Sequence, residues 1–135
     1  MVETRVLVAY DDEYRAYREV IAAGIHWLRL QVEVATCTPD ELLGGTFERF
    51  DPQVVICGRP GIVDPGDVPA WVELPMEPEL PTKIRVGDRR QTSASLELEG
   101  LLGIIDEAEK LVRAQAGRAV DRGPLGGGKG GRPSS

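Results

Sequence analysis

Two short runs of consecutive apolar residues constrain the fold of this chain more than any other feature of its sequence. They are residues 6–9 (VLVA) and 54–57 (VVIC). A strand with one face in water alternates apolar and polar residues, whereas a continuously apolar strand is buried on both faces. Such strands are typical of parallel sheets that carry helices on both sides. Because a helical pattern follows the first run, the sequence predicts an α/β fold.

Helical segments alternate with the predicted strands. Asp11 or Asp12 offers an N-cap for a first helix, and residues 38–41 (TPDE) have the pattern of a capping box with proline at the first helical position. Ser95 is the predicted cap of the last helix, and Gly117 is its predicted end. The buried stripe of this last helix is predicted to consist of Leu98, Leu101, Leu102, Ile105, Ala108 and Val112.

The stretch between residues 58 and 81 interrupts the alternation. It contains six prolines, a density that excludes a full-length helix. We therefore predict a single doubly wound parallel sheet of five strands in the order 2-1-3-4-5, with helices 3 and 4 reduced or missing. The five predicted strands are residues 4–10, 32–35, 53–57, 70–74 and 82–86.

Composition divides the chain into a body and a tail. Residues 1–116 are predicted to form one domain, and residues 117–135, rich in glycine and proline, are predicted to be a disordered tail. The formal charge is −6, with +3 in the tail and therefore −9 in the body. An acidic body repels phosphates, so we expect no nucleic-acid partner. The apolar runs are too short to span a membrane, which takes about 20 residues, and the N-terminal residues lack the pattern of a signal peptide, so we expect a cytoplasmic protein.

The cysteines and the histidine are expected to be structural. Cys37 and Cys57 fall at the ends of strands 2 and 3, which lie on either side of strand 1. Two strand spacings separate them by about 9–10 Å, beyond the reach of a disulfide. A catalytic thiol needs a neighbouring base or cation, and His26 lies on or just after the first helix, far from the strand ends. We therefore expect free thiols, with Cys57 in the core.

Polar residues and glycines collect where the predicted strands end. Parallel α/β sheets bind ligands outside the carboxyl ends of their strands, at the point where the strand order reverses. The residues expected at this edge are Tyr10, Asp11, Asp12, Cys37, Gly58, Arg59, Gly87, Asp88 and Arg89.

Two of these segments resemble the receiver domains of response regulators. Residues 6–13 (VLVAYDDE) resemble the acidic end of the first receiver strand, and residues 51–60 (DPQVVICGRP) resemble the segment that leads into the phosphoacceptor. The resemblance covers roughly residues 4–115 and implies a CheY-like, flavodoxin-like fold. In receivers an acidic pair binds Mg²⁺, an aspartate attacks phosphorus, a Lys neutralises the transferred oxygens, and a Thr or Ser hydroxyl responds to the product.

The resemblance implies that most of this machinery is missing. The phosphoacceptor position falls on Gly58, and the acidic pair falls on Tyr10 and Asp11 or, with one extra residue, on Asp11 and Asp12. The hydroxyl position falls near Leu74 or Pro75 and the Lys position on Gly87 or Asp88. Asp11 and Asp12 are only weak candidates for a metal, because Mg²⁺ usually needs further oxygen ligands. We expect them instead to cap the helix and to pair with Arg59 or Arg89.

These residues predict a degenerate receiver, or pseudo-receiver, that is not an enzyme and needs no cofactor. Its expected function is signalling or regulation by binding another protein, through helix 1 or the last helix, with a homodimer as one possibility. The alternative function is that of a flavodoxin-like domain that binds a small anion or a nucleotide. Its cleft would lie at the strand ends, at Gly58, Arg59, Asp88 and Arg89.

Overall fold

The computed structural model describes residues 4–77, 79–94 and 96–121, with side chains as far as residue 115. Ser95, the predicted cap of the last helix, and residues 122–135 of the predicted tail lie outside the described residues. The disorder of that tail therefore stays a prediction.

Strands and helices alternate through the first half of the described chain. The strands are β1 (Arg5–Ala9), β2 (Glu33–Cys37), β3 (Val54–Cys57), β4 (Ala70–Glu73), β5 (Thr82–Val86) and β6 (Arg89–Ser93). The helices are α1 (Arg15–Leu28), which follows a 3₁₀ turn (Asp12–Tyr14), then α2 (Pro39–Glu41), α3 (Phe47–Phe50) and α4 (Leu98–Asp121).

The strands form one mixed sheet in the order β2-β1-β3-β4-β5-β6. The first four strands in this order pair in parallel, as predicted. β5 runs antiparallel to β4, and β6 antiparallel to β5. The α/β class and the order of the first five strands are thus confirmed, whereas the prediction of a five-stranded, fully parallel sheet is wrong.

Connection lengths explain the change of direction. A parallel crossover needs about a dozen residues or more, and only residues 74–81 separate β4 from β5. Residues 58–69 do provide such a crossover between β3 and β4, and they contain no helix, as predicted for helix 3. β5 then turns into β6 through Gly87 and Asp88. Gly87 has φ 59°, which suits the first position of a two-residue hairpin loop.

Alternate residues of the sheet pack into two hydrophobic layers. On one face, Val8 and Ile56 are buried against α1 and α4, including Ile25 and Ile105. On the other face, the layer is closed by Leu42 and the segment from α2 to α3. The buried residues of this second layer are Leu7, Ala9, Cys37, Leu42, Val55, Cys57, Val68 and Trp71.

The capping box that starts α2 is confirmed. Thr38 Oγ1 accepts a hydrogen bond from the Glu41 N–H (3.1 Å), and Glu41 Oε1 accepts one from the Thr38 N–H (2.8 Å). These reciprocal bonds satisfy two N–H groups of the helix end. Because Thr38 follows β2 directly, the box also holds Asp40 at the carboxyl end of that strand.

α4 is longer than predicted. Leu101, Leu102, Ile105 and Ala108 are buried as predicted, but the helix continues past Gly117 to Asp121. A glycine within a helix costs only about 1 kcal/mol relative to alanine, so Gly117 need not end it. Within the described parts of the chain, no helix is long and apolar enough to cross a membrane, α4 included.

Candidate functional site

The first part of the predicted site is assembled at the carboxyl ends of β2, β1 and β3. The Tyr10 N–H donates to the Cys37 carbonyl oxygen (3.1 Å), and the Gly58 N–H donates to the Ala9 carbonyl oxygen (2.8 Å). These bonds continue the sheet ladder by one residue. The structure therefore brings Tyr10, Asp11, Asp12, Cys37, Gly58 and Arg59 together, as expected from the sequence.

The second part of the predicted site lies elsewhere. Val86 pairs with Ala70, so Gly87 and Asp88 lie beside the beginning of β4 and not beside its end. Arg89 forms an ion pair with Glu107 of α4. The prediction that Gly87, Asp88 and Arg89 share an edge with Asp11 and Gly58 is wrong, because β5 enters the sheet in the opposite direction.

The ring of Tyr10 fills the volume above Gly58. Tyr10 is fully buried, and its hydroxyl donates to the Leu74 carbonyl oxygen (2.8 Å), so the ring crosses β3 to reach the end of β4. A β-carbon on Gly58 would lie 2.9 Å from Cγ of this ring, and closer still to Cδ2 and Cε2. Tyr17 packs edge-on against the ring at 5.3 Å. Gly58 is therefore the residue type that this packing requires.

The same burial keeps the Tyr10 hydroxyl neutral. Desolvation raises its pKa far above the usual value, and the electrostatic effects of Tyr17 and Cys57 act in the same direction. A neutral hydroxyl can donate a hydrogen bond, as it does to the Leu74 carbonyl oxygen. Ionisation of the hydroxyl therefore does not break the contact with the Leu74 carbonyl at neutral pH.

Arg59 joins two carboxylates above the strand ends. Its Nη2 lies 2.5 Å from Asp11 Oδ1, and its Nη1 lies 2.9 Å from Asp40 Oδ1. The hydrogen bonds to Asp11 and then to Asp40 raise the pKa of the Arg59 guanidinium. The expected pairing of Arg59 with an aspartate is confirmed. The expected cap is not, because Asp11 precedes the 3₁₀ turn but makes no side-chain capping bond.

The sequence did not predict that Arg18 would be buried at the predicted site. It is buried to all but 8%, and its Nη1 donates to the carbonyl oxygens of Tyr10 (2.7 Å) and Cys37 (3.3 Å). Its Nη2 lies 3.4 Å from Asp12 Oδ1, and its Nε has no hydrogen-bond partner in the described structure. Arg18 thus ties α1 to the ends of β1 and β2.

The spacing within α1 contains the signal for this burial. Arg18 lies three residues before Ile21 and seven before Ile25, which puts it on the same helical face as these two core residues. An arginine in the middle of an apolar stripe must find acceptors inside the protein. The ends of two adjacent strands provide them, as backbone carbonyls.

Asp11 and Asp12 are each engaged by an arginine, Arg59 and Arg18 respectively. In the described part of the chain, no group of three or more His, Cys, Asp or Glu side chains is placed to hold a metal ion. The carboxylates of this edge therefore have the arrangement of an ion-pair network, and their charges are balanced by guanidinium groups.

The two cysteines are free and buried, as predicted. Burial raises the pKa of Cys37 to about 11. It raises the pKa of Cys57 as well, despite the opposing hydrogen bond and positive charge at Arg59. Both thiols are protonated at neutral pH and are poor nucleophiles. His26 is exposed beside Trp27, away from these groups.

Comparisons of the chain with family models, with curated proteins and with solved structures gave no match. The resemblance to receiver domains therefore depends on the residues of this chain alone.

Proposed function

We propose that this protein is a receiver-like signalling or regulatory domain that binds another protein and does not accept a phosphoryl group. The observation that carries the proposal is the packing of the Tyr10 ring over Gly58. The resemblance to receivers implies that the phosphoacceptor side chain would project from this position, directly after β3. Here the ring already occupies that volume, and its hydroxyl is fixed by the bond to the Leu74 carbonyl.

The charges around Gly58 support the same proposal. Arg59 occupies the edge where a receiver keeps its metal, and it is already balanced by Asp11 and Asp40. The Lys position of the resemblance falls on Gly87 or Asp88, at the far end of β5. The alternative of an anion-binding cleft at the strand ends gains no support, because its cation, Arg59, is paired twice and Tyr10 fills the space.

The exposed side of α1 favours protein binding. Val20 and Trp27 are 68% and 72% exposed, and Leu28 and Leu30 are also largely exposed at the end of the helix. Val20 and Trp27 are seven residues apart and therefore lie on one side of the helix, and tryptophan is enriched in protein interfaces. We propose this apolar side of α1 as the surface that binds the partner.

Treatment with acetyl phosphate and Mg²⁺ should leave the intact mass of the protein unchanged. The expected result follows from the lack of a side chain at residue 58 and of a free carboxylate beside it. Mass spectrometry of the intact protein measures the outcome, and a competent receiver in the same mixture serves as the positive control. A gain of one phosphoryl group, mapped to Asp11, Asp12 or Asp40, would contradict the proposal.

A photo-crosslinking residue at Val20 should trap a specific protein in cells that naturally produce this chain. The matched control is the same residue at Glu48, which is exposed on the opposite side of the sheet. We expect one discrete product from position 20 and none from position 48. The product should disappear when Trp27→Glu is added. Equal products at both positions, or persistence in the Trp27→Glu variant, would exclude α1 as the binding surface.

A further inference from the structure

A cavity of about 370 Å³ lies on the open face of the hairpin strands. Register places most of the strand residues that line it on one side of the sheet, since Trp71 pairs with Arg85 and Arg85 with Arg90. Residues 58–69 form a helix-free loop that covers this face only in part, contributing Ile62 and Asp64. The volume falls within the range of small-molecule sites, about 300–1,000 Å³.

The floor of the cavity is a buried ion pair. The side chains of Arg85 and Asp64 are only 6% and 13% exposed. Arg85 Nε and Nη2 both contact the Asp64 carboxylate, Nη2 at 3.0 Å, and the guanidinium also donates to the carbonyl oxygens of Gly87 and Val68. Arg85 is therefore fixed in position and balanced in charge.

Two further cations line the cavity: Arg90, and Lys83, which lies directly opposite Glu73 in the antiparallel pair. Arg90 lies directly opposite Arg85 in the antiparallel pair, an arrangement that is unfavourable for like charges. Lys83 lies on the same face of β5 as Arg85. Within the described residues, neither Lys83 nor Arg90 forms a salt bridge. The charged residues that line the cavity, Asp64, Glu73, Lys83, Arg85 and Arg90, thus sum to a formal charge of +1 in a protein of formal charge −6.

We propose that this cavity binds a small phosphate monoester with a hydroxylated body, such as a sugar phosphate. A phosphate monoester carries a charge of about −1.5 to −2 at neutral pH, and Lys83 and Arg90 are the two cations of the lining that lie outside the Arg85–Asp64 pair and can contact it. The Glu73 carboxylate, on the same face, accepts hydrogen bonds from hydroxyl groups of the body, and Trp71 supplies an apolar wall. The proposed partner-binding surface on α1 lies on the opposite face of the sheet from Trp71, so this site can be tested independently of the proposed protein binding.

Tryptophan fluorescence measures this binding directly. The Trp27→Phe substitution removes an exposed indole and leaves Trp71, in the cavity wall, as the only tryptophan. In this background we expect a saturable change in fluorescence on titration with ribose 5-phosphate. Ribose, at the same concentrations, should give none. Inorganic phosphate should bind more weakly than ribose 5-phosphate, because it lacks the body that Glu73 and Trp71 contact.

Charge-removing variants locate the site. Lys83→Gln and Arg90→Gln should each weaken binding by about tenfold or more, since each removes a charged hydrogen-bond donor to the phosphate. The matched control is Arg89→Gln on the same strand, because its side chain faces α4 and pairs with Glu107. It should change the affinity less than about threefold, well under the 1.4 kcal/mol of a tenfold effect. Circular dichroism checks that all three variants keep the fold.

Three results would overturn the proposal. The first is the absence of saturable binding by ribose 5-phosphate. The second is equal weakening by Arg89→Gln and Arg90→Gln, which would indicate diffuse attraction to an edge strand. The third is binding of inorganic phosphate as tight as that of ribose 5-phosphate, which would remove the role assigned to Glu73 and Trp71.

Discussion

Replacing Gly58 with alanine should lower the free energy of unfolding by about 3 kcal/mol or more, although it adds a single methyl group. The new β-carbon would overlap the Tyr10 ring, which is held by its bond to the Leu74 carbonyl and by Tyr17. Removing this overlap would require either loss of the buried hydrogen bond between Tyr10 and Leu74 or a shift of β3. Urea unfolding followed by circular dichroism measures the loss.

A double variant separates this clash from other effects of the substitution. Tyr10→Ala alone should cost about 3–5 kcal/mol, as other aromatic truncations in cores do. The Tyr10→Ala, Gly58→Ala protein should be no less stable than Tyr10→Ala, because the overlap is gone. The control is Gly103→Ala, on the exposed side of α4 with no atom near the new methyl group, which should stabilise by up to about 1 kcal/mol. Additive losses at residues 10 and 58 would contradict the role given to the ring.

The second large effect is expected at the buried ion pair. Asp64→Asn should lower the free energy of unfolding by about 3 kcal/mol at pH 7, because it leaves the Arg85 charge buried without its counterion. The matched control is Asp106→Asn, which breaks the more exposed pair with Arg29. That change should cost at most about 1 kcal/mol. Similar losses of unfolding free energy in the two variants would show that burial of the Arg85–Asp64 pair does not increase its contribution to stability.

The destabilisation caused by Asp64→Asn should depend on pH in a definite direction. Burial raises the pKa of Asp64, but the hydrogen bonds from Arg85 and from the Gly66 N–H, together with the charge of Arg85, outweigh it and hold the pKa below its ordinary value. A carboxyl with a depressed folded pKa stabilises above its unfolded pKa, about 3.9, and loses that contribution as the pH falls through the folded value. The stability difference between wild type and Asp64→Asn should therefore be full at neutral pH and shrink below about pH 4. A difference that is constant with pH would contradict it.

The sequence was sufficient for the parallel half of the fold. Continuous apolar runs identified β1 and β3, the capping box identified α2, and the apolar stripe of α4 was correct at Leu101, Leu102, Ile105 and Ala108. Each of these patterns is local, since it depends on residues that are close together in the sequence. Such predictions were correct because the tertiary structure of this protein does not oppose the local preferences of these segments.

The antiparallel half was missed for two identifiable reasons. The connection from β4 to β5, residues 74–81, is too short for a parallel crossover, whereas the strand patterns by themselves carry no information on strand direction. β6 (Arg89–Ser93) is polar and exposed, so it lacks the apolar alternation that marks a strand. Only the Gly87-Asp88 pair signalled its hairpin. The reversed direction of β5 misplaced three of the predicted site residues, Gly87, Asp88 and Arg89.

The side-chain contacts within the site join residues that are far apart in the sequence, so local patterns do not predict them. The partnership of Arg59 with Asp11 joins residues 48 positions apart, and the Tyr10 bond to Leu74 spans 64. Arg59 was predicted from its place after β3. No pattern in the sequence predicts that Tyr10 turns inward across Gly58, because its direction depends on how the ends of three strands are spaced.

The inward position of Tyr10 has a consequence for how such a domain conveys information. A site whose interior is filled by a hydrogen-bonded ring leaves no room for a phosphorylated side chain at residue 58. Under the proposed function, the occupancy of the partner then follows the amount of this protein through mass action. Synthesis and turnover, acting over the lifetime of the protein, would set the signal in place of a fast covalent event.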